Sequence, residues 1–110
     1  MRVDGARDAG LLFERAVTER DFAKACDLLA PQTRAAVEQD EKQSCAKALE
    51  TRELPASGAV DGVEVHGRQA LVRTGTQTLF LSQFAAGWRV VAAGCTPRGE
   101  QPYQCELKGA

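Results

Sequence analysis

The stretch Val63-Glu64-Val65-His66-Gly67-Arg68-Gln69-Ala70-Leu71-Val72-Arg73 decides the fold. Val63 and Val65 alternate with Glu64 and His66, so side chains repeat with period two and the segment reads as a strand. Gly67-Arg68 then reads as a two-residue hairpin turn, which sets Val65 opposite Ala70 and Val63 opposite Val72. In that register Glu64 faces Leu71 and lies diagonal to Arg73, the geometry of a modest cross-strand ion pair.

Downstream, Thr78–Phe84 and Trp88–Gly94 read as a second hairpin around a three-residue Ala85-Ala86-Gly87 loop, with Gly87 in the left-handed position. That loop places Phe84 opposite Trp88, Ser82 opposite Val90 and Phe80 opposite Ala92. The hairpin is then apolar on both sides: Phe80, Phe84, Trp88 and Val90 on one, Leu79, Leu81, Val91 and Ala93 on the other. One face can pack on helices; the second needs a curled sheet, a ligand or another subunit to cover it. A last short strand is expected over Tyr103–Lys108.

Upstream the period changes. Ala6, Ala9, Phe13, Ala16 and Val17 recur at helical spacing, with Arg7, Glu14 and Arg15 off that stripe. Asp21 suits the N-cap of a second helix whose apolar face holds Phe22, Ala25, Cys26 and Leu29. Pro31 suits the first turn of a third helix through Val37, and Glu38–Gln43 reads as a loop. Ser44 can cap a fourth helix with Cys45 and Leu49 one turn apart, and Pro55-Ala56-Ser57-Gly58 ends the helical part. The expected fold is therefore α+β: one domain over residues 1–110, helical across 6–54, with a curved antiparallel sheet across 58–108. Phe13, Val17, Phe22, Leu29, Leu49, Phe80 and Trp88 are its expected core.

A net charge of −1 over 110 residues supplies no field for nucleic acid or acidic membranes, and ten scattered Arg and four Lys make no patch. No apolar run approaches the length of a bilayer span. Met1-Arg2-Val3-Asp4-Gly5 is not a signal peptide, which fits either a native start or a start placed after a removed export segment. Four cysteines in so short a chain, without a Cys-x-x-Cys spacing and with His66 the single histidine, favour disulfides over zinc. The expected compartment is therefore oxidising and extracytoplasmic, with an export segment expected outside this chain and membrane attachment expected only through an anchor outside it. Three pairings of the four are open at this point.

Helices followed by a curved antiparallel sheet resemble the nuclear-transport-factor-2-like fold, the cone shared with ketosteroid isomerases. Three strings resemble small exported actinobacterial proteins and lipoproteins carrying such a domain. They are Ala25-Cys26-Asp27-Leu28-Leu29-Ala30-Pro31, Ser44-Cys45-Ala46-Lys47-Ala48-Leu49, and Gly87-Trp88-Arg89-Val90-Val91-Ala92-Ala93-Gly94-Cys95-Thr96-Pro97. The ending Pro102-Tyr103-Gln104-Cys105 fits the same pattern. The resemblance implies a shape, a disulfide pattern and a compartment, with no assigned activity. On the expected topology Cys26 and Cys45 lie on the inner faces of adjacent helices, and Cys95 and Cys105 flank the loop between the last strands. The expected bonds are Cys26–Cys45 and Cys95–Cys105.

An acid–base enzyme on such a cone needs a carboxylate or histidine deep in the pocket, beside a tyrosine or second acid. In the strand region the candidates for such a role are Asp61, Glu64, Tyr103 and Glu106. Asp61 reads as a bulge residue beside Gly62, Glu64 as the partner of Arg73, and Tyr103 as a packing residue with its hydroxyl at the surface. His66 sits at an exposed strand end. Ser44, Ser57 and Ser82 lack a nucleophile setting, and Gly94, Gly99 and Gly109 form no phosphate loop. Trp88 reads as core and not as a ligand platform. The expectation is a non-enzymatic binding or interaction domain without metal or cofactor, engaging a protein partner or small apolar ligand, or a second copy through the sheet. An isomerase- or dehydratase-type enzyme using the cone pocket is the alternative.

Overall fold

The computed structural model describes residues 2–109; Met1, whose standing as a native start the sequence leaves open, and Ala110 lie outside the described residues. Four helices come first: α1 (Arg2–Thr18), α2 (Phe22–Asp27), α3 (Pro31–Glu41) and α4 (Cys45–Glu50). Six strands follow: β1 (Val60–His66), β2 (Gln69–Thr74), β3 (Thr78–Phe84), β4 (Gly87–Arg98), β5 (Gln101–Gln104) and β6 (Leu107–Lys108). They form one antiparallel sheet in the order β1-β2-β3-β4-β5, with β6 also on β4. The class is α+β, helices packed on a curved sheet.

Two inner rows of side chains build the core. Val63, Val72 and Leu79 stand side by side across β1, β2 and β3, and Val65, Ala70, Leu81 and Val90 continue the pattern onto β4. Their burial deepens from the half-buried β1 valines to Val72, Leu79, Leu81 and Val90, which are essentially inaccessible. Helix α1 lies over these rows with Ala6, Ala9, Phe13 and Ala16 facing them. It approaches closely because glycines face the sheet: a Cβ on Gly5 would stand 2.9 Å from the Trp88 indole, and one on Gly10 3.3 Å from Leu79. The helix ends in a Schellman turn, with Asp21 N–H donating to Ala16 O, Arg20 N–H to Val17 O, and Arg20 left-handed at φ 60°. Asp21 then caps α2 by accepting from Lys24 N–H.

The structure corrects several boundaries. Helix α2 stops at Asp27, so Leu29 belongs to a short extended segment that pairs with β4. There Ala30 N–H donates to Val90 O at 2.8 Å and Val90 N–H to Leu28 O at 2.7 Å. Helix α3 runs to Glu41, through most of the expected loop. Continuing it puts the Glu38 carboxylate where it accepts from Cys45 N–H at 3.1 Å, and the Ser44 side chain makes no capping bond. The expected last strand is two short ones, β5 and β6.

The second hairpin differs in register. Phe84 pairs with Gly87 and Gln83 with Trp88, so the loop is the two residues Ala85-Ala86 and Gly87 opens the strand. That register sets Leu81 opposite Val90, and a bulge at Val91 then brings Phe80 opposite Ala92. A slip of one residue moves side chains to the other face. Trp88, Val90, Leu79, Leu81 and Ala93 therefore share the buried side, and Phe80 and Phe84 lie on the other. The two-sided apolar hairpin expected from sequence becomes one filled face and one lightly apolar face.

Of the seven expected core residues, Phe13, Leu29, Leu49 and Trp88 are buried; Val17, Phe22 and Phe80 are only half-buried. Phe22 lies under the Arg20 guanidinium at 5.1 Å, near the surface. Trp88→Ala is expected to cost about 3–5 kcal/mol and Phe22→Ala about 1–2 kcal/mol. Equal denaturation midpoints for the two variants would contradict this packing.

Disulfides join Cys26 to Cys45 and Cys95 to Cys105, with Cα–Cα distances of 6.1 and 3.9 Å. The first ties α2 to α4, and the second closes the base of the β4–β5 arm. Each loop closure contributes about 2–4 kcal/mol in the chain-entropy account. Both are compatible with an oxidising compartment. Among the described residues no helix is long and apolar enough to cross a membrane.

Candidate interaction face

The outer side of the sheet also carries two rows. Glu64, Leu71, Phe80 and Ala92 stand side by side from β1 to β4, and His66, Gln69, Ser82 and Arg89 form the next row. Among the described residues the helices approach these rows only at Arg89, which shares a cleft with Asp27 of α2 and Arg34 of α3. What partly covers them is the β4–β5 arm, whose residues 96–104 are all exposed. Tyr103 on that arm sets its ring edge-on to Phe80, centroids 5.1 Å apart and planes at 80°.

Two clefts open here. One, of about 210 Å3, is lined by Glu64, His66, Gln69, Leu71 and Phe80. The other, of about 330 Å3, lies between Asp61 and Arg73 on one side and Thr96 and Pro97 of the arm on the other. The Glu64–Arg73 ion pair stands between them, one partner on each cleft. A larger hollow of about 390 Å3 at Arg20 and Glu50 is open and polar, and holds no more than an exposed ion pair at 4.0 Å.

Four of the strand-region candidates thus come together on the outer side. Asp61 is the extra residue of a bulge between Val60 and Gly62. Glu64 is bound by Arg73. His66 is 84 % exposed and 3.9 Å from Glu64. Tyr103 packs on Phe80. Glu106 stands apart: its carbonyl accepts from Arg52 at 2.7 Å, behind the bulge at Gly94. The serines are structural as well, Ser57 bonded to Thr18 and Ser82 donating to Gln69.

The Arg73 guanidinium, through its hydrogen bond and charge, holds the Glu64 carboxyl below the ordinary glutamate range. A carboxylate with a lowered folded pKa contributes stability above its unfolded pKa and loses it as pH falls through the folded one. The pair is exposed, so that contribution is small. Arg73→Gln is expected to return the Glu64 midpoint in an NMR titration toward the ordinary value; an unmoved midpoint contradicts the pairing.

Among the described residues there is one fully buried acid, and the sequence reading does not single it out. Glu14 on α1 is inaccessible, and both its oxygens are occupied. Oε1 accepts from Gly58 N–H at 3.3 Å; Oε2 accepts from the Thr74 hydroxyl at 3.1 Å and from the Gln77 amide at 2.8 Å. Gln77 in turn accepts from Gly94 N–H at 2.6 Å. The available signal was spacing: Glu14 follows Gly10 by four residues and adjoins Phe13, so it lies at the edge of the buried stripe. Glu14 lines none of the clefts described above, and its arrangement is that of a tie between α1, the linker before β1, and the β2–β3 turn.

Comparison with family models, curated proteins and solved structures finds no match for the chain.

Proposed function

We propose that the chain is an extracytoplasmic, non-enzymatic binding domain of the nuclear-transport-factor-2-like kind, working through the outer face of its sheet. The observation that carries this reading is the division of the sheet. The inner rows are filled by α1, while Leu71 and Phe80 stay partly accessible in one outer cleft, with Tyr103 packed on Phe80 beside it. An apolar floor with a polar rim suits a protein surface, a second copy included, or a small apolar ligand. The two disulfides support the compartment. The isomerase-type alternative finds no comparable support: the buried carboxylate Glu14 has both oxygens engaged, by Gly58, Thr74 and Gln77.

Sedimentation equilibrium and binding of the neutral apolar dye Nile red test the reading on the intact protein. Self-association or dye binding is expected, and Leu71→Glu should weaken whichever is present while the circular dichroism is unchanged. A monomer that leaves the dye unperturbed, or an effect untouched by Leu71→Glu, would overturn the assignment of the outer face.

A further inference from the structure

A third cleft, of about 320 Å3, lies where the start of β4 meets the α2–α3 junction. Its apolar part is Leu29, Pro31, Phe84 and Ala86, and its charged rim is Arg34 and Arg89 with Asp27. The two guanidinium groups differ in their partners. Arg34 is 3.5 Å from Asp27 and 4.0 Å from Glu38, so carboxylates already satisfy its charge. Arg89 makes one hydrogen bond, to the Trp88 carbonyl at 2.9 Å, and among the described residues no carboxylate lies within ion-pairing distance of it. A guanidinium carries five N–H donors, so Arg89 keeps several for an anion.

The walls are fixed before any ligand arrives. One is the 28–30 segment, hydrogen-bonded to Val90 on both sides and tied to α4 through the neighbouring Cys26–Cys45 disulfide. The other is the tight Ala85-Ala86 turn. A preformed apolar trough with a half-buried, unpaired guanidinium at its rim suits an anion that carries a hydrocarbon chain. The planar fork of Arg matches a carboxylate, and each methylene laid on the apolar wall adds favourable burial. The volume is at the small end of ligand sites, enough for a short chain.

We propose that this cleft binds a small amphiphilic carboxylate, its head group on Arg89 and its alkyl chain along Leu29 and Phe84. Arg89 belongs to the outer row, but this cleft shares no lining residue with the two outer-face clefts and does not depend on them.

The test is an amide NMR titration of the intact protein with sodium octanoate, and with octylamine as the opposite-charge control. Octanoate is expected to shift saturably the amides around Leu29, Phe84 and Arg89. Arg89→Gln should weaken it about tenfold or more, the loss of a charged hydrogen bond. Ala86→Glu, at an exposed position that no core contact depends on, should weaken octanoate by charge repulsion and keep the fold. Arg34→Gln should matter less, because Arg34 already has its carboxylates. Three results would each overturn the proposal: no saturable shift, octylamine binding as well as octanoate, or an Arg89→Gln affinity equal to wild type. So would octanoate shifts centred on Leu71 and Phe80.

Discussion

Glu14→Ala is expected to lower the unfolding free energy by about 3–5 kcal/mol, a large part of the stability of a domain this size. The substitution removes a single buried methylene, the smaller part of that cost. The larger part is loss of the acceptor for three donors: Gly58 N–H, the Thr74 hydroxyl and the Gln77 amide. Thr74 and Gln77 are themselves nearly inaccessible, so water cannot easily replace the lost oxygen atoms. Gln77 cannot turn to compensate without abandoning Gly94 N–H. Glu14→Gln separates the network from the volume it occupies. It fills the same space and keeps one carbonyl acceptor, but presents an amide where Oε2 takes two donors, so it should cost less than Glu14→Ala, about 1–3 kcal/mol. Urea unfolding of both variants checks the order. An alanine variant as stable as wild type would mean that Glu14 is not the tie the structure shows.

The first hairpin was legible because its cues agree. Two-residue spacing, a glycine turn and a Glu–Arg diagonal all demand one register, and Val65 meets Ala70 as that register requires. Gly67 has the left-handed φ of 63° that such a turn needs. The second hairpin was misread because Gly87 satisfied a local rule for a loop position while the structure uses it, at φ 126°, as the first residue of β4. Both strands are rich in apolar residues, so hydrophobic pattern alone does not penalise the slip. The bulge at Val91, which restores Phe80 opposite Ala92, has no local sequence cue. It becomes visible through Thr33, a buried residue whose hydroxyl donates to Val91 O at 2.8 Å.

Helix ends failed for a related reason. Polar composition made Glu38–Gln43 look like a loop, yet Glu38 and Glu41 on α3 are held by tertiary partners, Cys45 N–H and Arg52. Arg52 also donates to Glu106 O, so a single side chain fastens α3 and α4 to the segment before β6. Contacts between residues this far apart in sequence are not written in any one segment. The candidate site was legible to the extent that it rests on the first hairpin: Glu64, Leu71 and Arg73 take the outer side as their alternation requires. The contribution of Tyr103 was not, because it depends on how the disulfide-closed arm folds back over Phe80.

The account rests on the sheet having one filled face and one free face, and Leu81 and Leu71 report on the two. They are leucines on neighbouring strands, on opposite sides of the sheet. Leu81 is 1 % exposed between Ala70 and Val90, and a glutamate there would place a carboxylate among apolar side chains with no partner. That change is expected to cost at least about 4–5 kcal/mol and to leave the chain unfolded or nearly so. Leu71 lies on the outer row between Glu64 and Phe80, with Arg73 two residues along the strand, so Leu71→Glu should stay within about 1 kcal/mol of wild type. Equilibrium urea unfolding of the two variants beside wild type is the direct measurement. The division of the sheet predicts collapse of the Leu81→Glu midpoint and a nearly unchanged midpoint for Leu71→Glu. A stable Leu81→Glu protein, or a Leu71→Glu protein destabilised as severely, would contradict it.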